Sequence, residues 1–222
     1  MASNTITFNA PVNNYGNGTI TGDVTNHVYG DKREKDQKPL ILTEGKTDWK
    51  HLEFVLTKLQ AQGKFTDLVI EFSKAKEHMG YAKIIEYCRS LSKTPQCRLF
   101  IGLFDRDESN INKEFNSGKE FIDYGNSVFI TRIPELTEKE PDIVIENYYS
   151  SKVLDRADSQ GRKLGRAGYK VTSNGSLSKD DFAENIRKET PEFSNIDVSN
   201  FEHIFRLLAK IIAEYQRLKD QI

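Results

Sequence analysis

LILTEGKTD, residues 40–48, and LFIGLFDRDE, residues 99–108, decide how this chain folds. Each is an apolar run that stops abruptly at carboxylates. The first stops at Glu44, followed by Gly45, and the second at Asp105 and Asp107. Strands buried on both faces of a parallel sheet read as such runs. Open α/β sheets bind ligands beyond the ends of their strands. Two strands of this kind bring three carboxylates to one sheet edge, a hard, oxygen-rich set suited to Mg²⁺ or Mn²⁺.

Helical spacing follows the first run. Thr47 or Asp48 is placed to cap a helix carrying Trp49, Leu52, Val55, Leu56 and Leu59 and ending near Gly63. Gly45 lets the backbone turn from strand to helix, which brings the free N–H groups of the helix start close to the carboxylates. Pro39 opens the first strand, and Leu68–Phe72 reads as the second. Gly80–Ser92 reads as a helix with Tyr81, Ile84, Ile85, Cys88 and Leu91 on one face. Asn110–Asp123 is a polar connection with a short helix around Phe115, and Ser127–Ile133 is a strand ending at Pro134. This alternation predicts an α/β fold with a central, mostly parallel sheet of about four strands flanked by helices. From about Asn200 to the end, Phe201, Ile204, Phe205, Leu208, Ile211, Ile212, Tyr215, Leu218 and Ile222 recur every three or four residues. They predict a long C-terminal helix, packed on the sheet or, as the alternative, on a second copy.

Glu-Gly-x-Thr-Asp after a first strand (Glu44 to Asp48) and Asp-x-Asp after a later one (Asp105 to Asp107) resemble the Toprim domain. That domain is shared by topoisomerases, bacterial primases, the recombination mediator RecR, a ribosomal-RNA maturase and the OLD-family (overcoming lysogenization defect) nucleases. The resemblance runs from about Pro39 to about Ile186 and is nearest to the OLD type. It implies a Rossmann-like sheet and a nuclease that uses one or two Mg²⁺ or Mn²⁺ ions. Two such ions about 4 Å apart can activate water and relieve charge on the phosphate. In this pattern Glu44, Asp105 and Asp107 hold one ion. Glu146, in the apolar segment Asp142–Tyr149, helps hold the other with Asp48 or Glu108. Lys179, just before Phe182-Ala183, matches a lysine that meets charge at the scissile phosphate. From the residues alone, Glu146 reads equally as a glutamate at a helix start, and Lys179 as an exposed first-turn lysine following the capping Ser178.

Residues 1–30 form a different region. Six Asn, five Thr and four Gly occur there, and Asp23 is its one Asp, Glu, Lys or Arg. Alternation at Ile6, Phe8, Ala10 and Val12 predicts a β-arm that pairs with another copy or a partner protein. Residues 31–38 are a charged linker, 39–190 the Toprim-like domain and 191–222 the C-terminal helix. Ser159–Ser176 has no acid and four bases, Arg162, Lys163, Arg166 and Lys170, with Tyr169 between them. Such a loop can track a phosphate backbone and stack on a base.

The net charge is −1, so nucleic acid must be met by a local patch or through metal. No apolar run reaches the roughly 20 residues of a membrane span, and the start lacks a secretory pattern. Cys88 and Cys97 have no ligand spacing and read as reduced thiols of a cytoplasmic protein. His27, His51, His78 and His203 read as structural or surface residues. A Walker A sequence is missing, so the ATPase of a full OLD protein is expected on a separate partner, as in bacterial anti-phage or toxin systems. The expected function is a metal-dependent endonuclease on DNA or RNA, working as a homo-oligomer and away from membranes. The alternative is a non-catalytic nucleic-acid-binding or regulatory module within a larger complex.

Overall fold

The computed structural model describes residues 37–74, 79–115, 118–136, 143–165 and 175–221. The arm expected over residues 1–30, most of the charged linker, and Arg166, Tyr169 and Lys170 lie outside the described residues.

From Leu40 the chain alternates strand and helix. The order is β1 (Leu40–Thr43), α1 (Asp48–Ala61), β2 (Glu71–Phe72), α2 (Gly80–Leu91), β3 (Phe100–Phe104), α3 (Ser109–Glu114), β4 (Phe121–Gly125) and β5 (Val128–Arg132). A 3₁₀ turn (Ile145–Tyr148) and the short α4 (Ser151–Leu154) follow, then a parallel pair, β6 (Lys163–Leu164) and β7 (Ser176–Leu177). The last helices are α5 (Lys179–Arg187) and α6 (Glu202–Lys219). The main sheet runs β2-β1-β3-β5-β4. β2, β1, β3 and β5 are parallel, and β4 lies antiparallel on the edge.

Period-2 alternation divides the sheet between two cores. Ile41, Ile101, Leu103 and Phe129 join Leu52, Val55 and Leu59 of α1 and Ile204, Leu208 and Ile211 of α6. Leu42, Phe100, Phe104, Val128 and Ile130 join Ile84, Ile85 and Cys88 of α2 and Ile111 of α3. Both faces are covered, which is why β1 and β3 read as unbroken apolar runs. Each large apolar side chain buried this way contributes about 1.5–3 kcal/mol. On α6, six such side chains, Ile204, Phe205, Leu207, Leu208, Ile211 and Tyr215, are buried against the sheet's core. The C-terminal helix therefore packs on the domain.

The arrangement differs from the expected one in four places. The sheet has five strands, because residues 121–125 form β4 in a hairpin with β5. Asn126 and Ser127 both have positive φ, 52° and 66°, as a two-residue hairpin turn requires. Asn-Ser is a weaker signature than Asn-Gly, and the preceding polar stretch hides the strand. Second, pairing in β2 covers only Glu71 and Phe72 of the predicted 68–72. Third, Thr47 is at the N-cap of α1 without a side-chain cap bond. Fourth, Asp48 turns its carboxylate back to the Gly45 amide instead of capping the helix. Among the described residues, no helix is long and apolar enough to cross a membrane.

Gly102 sets how closely α2 approaches the sheet. A Cβ there would lie 3.0 Å from Cys88 Sγ and 3.1 Å from the Phe104 ring. Gly102→Val overpacks this contact, and thermal or denaturant unfolding should show a loss of about 1–3 kcal/mol.

Candidate metal centre

Because β1 lies between β2 and β3, the chain leaves β1 in one direction and β3 in the other. α1 covers one face and α2 the opposite face. A crevice opens where the winding reverses, at the C-terminal ends of β1 and β3, the usual ligand position in such sheets. Glu44 follows β1 and Asp105 follows β3, so both stand at this point. The crevice, about 700 Å³, is lined by Glu44, Asp48, Asp105, Asp107, Tyr81, Lys83 and Lys179, among others.

Backbone amides hold the carboxylates. The Asp105 amide donates to Glu44 Oε1 at 3.0 Å, and the Ile145 amide donates to Asp105 Oδ1 at 3.1 Å. The Gly45 amide donates to Asp48 Oδ2 at 2.6 Å, and Thr47 Oγ1 donates to Asp48 Oδ1 at 3.3 Å. A Cβ on Gly45 would fall 2.7 Å from Asp48 Oδ1, so the carboxylate fits there only because residue 45 is glycine. The Met79 and Gly80 amides donate to the Glu44 carbonyl, tying the start of α2 to the end of β1.

Glu146 arrives on the 3₁₀ turn. The Arg106 amide donates to the Ile143 carbonyl (2.9 Å), which seats this segment beside the end of β3. Tyr148 and Tyr149 anchor the turn in the core; the Tyr149 ring packs 4.8 Å from Phe201, and its hydroxyl meets His51 Nδ1 at 3.0 Å. Glu146 is only 3% exposed. Its Oε2 accepts from Lys179 Nζ at 3.1 Å, while Oε1 is buried without a partner. Lys179 is the first residue of α5, whose Ser178 cap accepts from the Asp181 amide at 3.0 Å. Lys50 of α1 clamps that helix in place through Asp180 (2.6 Å) and Glu184 (2.8 Å).

The predicted residues thus divide. Glu44, Asp48, Asp105 and Lys179 come together, with Glu146 bound to Lys179. Asp107 is exposed at the rim of the same crevice. Glu108 lines it too, but its carboxylate accepts from Asn110 and caps α3. Arg162 is held away by Asp158, with Nε 2.8 Å from Oδ2, and by Asp181 at 3.7 Å. Lys163 is exposed at the start of β6. Sequence reasoning missed Lys50, which lies on the helix that carries the buried face, and its partners are 130 or more residues away.

Burial and mutual repulsion govern the charges. Burial, with repulsion from Asp48, Asp107 and Glu108, pushes the Glu44 carboxyl up to about 7 against the pull of the Asp105 amide. Burial, then the charges of Asp48, Glu146, Glu44 and Asp107, holds Asp105 well above the usual carboxylate range. Asp48 is raised by burial, opposed by the Gly45 amide and reinforced by Glu146. For Lys179, burial of the ammonium is outweighed by Glu146, Asp105 and Asp48, so its pKa rises. His51, fully buried, is pushed down to about 4 and stays neutral, as a structural histidine does.

Divalent metal suits this donor set. Glu44, Asp105 and Glu146 are each fixed through one oxygen, and the second oxygen accepts no hydrogen bond among the described residues. An added dication would relieve the repulsion that raises Glu44, Asp48 and Asp105. Among the described residues, no group of three or more His, Cys, Asp or Glu side chains is arranged closely enough to hold a metal ion as it stands.

Between the ordinary carboxyl value of 4.5 and about 7, folded Glu44 keeps a proton that the unfolded chain has lost. Unfolding then releases a proton, so raising the pH through this window destabilises the metal-free fold. Glu44→Gln should become progressively more stable relative to wild type across this range, measured as the difference in melting temperature. A difference independent of pH would contradict the charge assignment. Compared with protein-family models, with curated proteins and with solved structures, the chain has no match, so its functional reading rests on this crevice and on the Toprim-like motifs.

Proposed function

We propose that this chain is a Toprim-type endonuclease that hydrolyses phosphodiester bonds of DNA or RNA with Mg²⁺ or Mn²⁺. One observation carries the reading: adjacent parallel strands deliver Glu44 and Asp105 to the switch point of the sheet, with Asp48, Asp107 and Lys179 around one crevice. The carboxylates that define the two Toprim-like motifs are the ones that meet there. A domain that only bound nucleic acid would gain nothing from facing several carboxylates toward a polyanion.

Glu44, Asp105 and Asp107 would hold one ion, and Glu146 with Asp48 a second. Bound metal supplies Lewis acidity toward the phosphoryl oxygens and acidifies water. The protein's own part is positioning and charge. The amide bonds at Glu44 Oε1 and Asp105 Oδ1 each fix one oxygen of two crevice-lining carboxylates. The buried Tyr149–His51 contact holds the turn bearing Glu146 rigid. Lys179, its side chain 55% exposed, is tethered by Glu146 and lines the crevice. It can donate to the negative charge that develops on the phosphate, an interaction strongest in the transition state. The oligomeric assembly belongs to the same proposal and rests on the alternating pattern of residues 1–30, whereas the separate ATPase or sensor partner and the anti-phage or toxin role rest on the resemblance alone.

The test is cleavage of supercoiled plasmid and of total tRNA with Mg²⁺ or Mn²⁺. Wild type should cut one class of substrate, and Glu44→Ala and Asp105→Ala should abolish both cutting and Mn²⁺ binding in calorimetry while leaving the fold intact. Lys179→Ala should keep Mn²⁺ binding and lower kcat by about 10²-fold. Mn²⁺ binding without cleavage would direct the search to an activating partner, whereas a wild type that neither cuts nor binds Mn²⁺ sinks the nuclease reading and leaves a binding module.

A further inference from the structure

A second cluster of charge lies on the same edge of the sheet, outside the carboxylate crevice. Arg106 directly follows Asp105, and Arg132 ends β5, the neighbour of β3, in register with Phe104. Together with Lys119, Glu120, Pro134, Glu135 and Leu207 they line a separate cavity of about 320 Å³.

The two guanidiniums are built in rather than loosely exposed. The Arg106 side chain is 13% exposed; it donates to the Ile133 carbonyl at 3.3 Å and pairs with Glu135 at the rim. Arg132 lies over the Phe115 ring, 4.7 Å from its centroid, and donates to Asn112 Oδ1 at 2.7 Å. Asn112 in turn donates to the Arg106 carbonyl at 2.8 Å, so one asparagine orients both segments. Among the described residues neither Arg132 nor the exposed Lys119 has a carboxylate partner. Glu120 is occupied by Lys210, and Glu135 by Arg106. Burial and the adjacent Arg106 lower the pKa of Arg132, opposed in part by the Glu135 carboxylate.

We propose that Arg106, Arg132 and Lys119 form a subsite for a backbone phosphate of the polynucleotide whose neighbouring phosphodiester enters the carboxylate crevice. This rests on the nuclease reading. A guanidinium offers paired N–H donors that match phosphate oxygens, and a phosphate at Arg106 takes the place of the Glu135 carboxylate. The subsite answers a physical need: the crevice is acidic and the chain's net charge is −1, so a substrate polyanion needs local cationic anchors. It also places Arg106 and Arg132 at the ends of β3 and β5, with Lys119 just before β4, whereas Arg162 of the predicted basic loop is already paired with Asp158 and Asp181.

Fluorescence anisotropy of fluorescein-labelled DNA and RNA hairpins, titrated in Ca²⁺ over a range of KCl concentrations, tests this. Lys119→Gln and Arg132→Gln should each weaken binding of the preferred hairpin and lower the slope of log K against log salt by about 1, the signature of one lost phosphate contact. Glu135→Gln should tighten binding, because it removes the carboxylate that competes for Arg106. Lys119 is exposed, so its variant leaves the fold untouched, and a thermal melt checks Arg132→Gln. Wild-type affinity and slope in both cationic variants would overturn the subsite. Plasmid and tRNA cleavage by wild type against Glu44→Ala would still judge the nuclease reading separately. Failure of wild type to bind either hairpin would also overturn the subsite.

Discussion

The hydrogen bond from the Asp105 amide to Glu44 Oε1 joins the ends of two strands that are separated by some sixty residues of chain. It exists only because β1 and β3 are neighbours, and they are neighbours because the sheet reverses its winding between them. On one side of that point the chain climbs through α1 to β2; on the other it continues toward β5. Among the described residues, the crevice left between the two directions is lined by strand ends and the first turns of helices. Polar groups placed there meet each other and solvent, and the dense carboxylate cluster is the result.

Several helices serve this one place. α1 begins at Asp48, whose carboxylate folds back on Gly45, so a residue that looked like a cap instead lines the crevice. α2 begins where its first amides grip the Glu44 carbonyl. α5 begins with Lys179 and is fixed to α1 by Lys50. The apolar faces of these helices fill the two cores, and their starts converge on the carboxylates. Stability and site are therefore built by the same elements: the core sets the helix positions, and the positions set which charges face each other.

That arrangement has an electrostatic cost. Glu44, Asp48 and Asp105 are all raised by burial before any neighbour acts on them, and their mutual repulsion adds to it. Proteins tolerate such strain at functional sites, where a bound cation or a proton relieves it. Lys179 supplies part of the compensation through Glu146, and the buried, unpartnered Oε1 of Glu146 shows that the compensation is incomplete. The guanidinium pair at Arg106 and Arg132 lies on the other side of Asp105, so the sheet edge carries anionic and cationic surface next to each other.

The apolar runs at residues 40–43 and 99–104, the periodic helices and the carboxylates at 44, 105 and 107 were all readable in the chain, because period and abrupt changes of polarity are local properties. They determined an α/β fold, the strands that bear the candidate site and the helix that closes the core. The edge strand β4 was not readable, since its Asn126-Ser127 turn is a weak signature and its short Phe121-Ile122-Asp123-Tyr124 run follows directly on a polar stretch. Which oxygens Glu44, Asp105 and Glu146 leave uncommitted, the partnership of Lys179 with Glu146, and the pairing of Arg162 with Asp158 were decided only in three dimensions. Apart from the local Arg162–Asp158 pair, these contacts join groups tens of residues apart. Even that pair hid behind a loop that looked uniformly basic. Strand order, which no local pattern encodes, brings the distant groups within reach of one another.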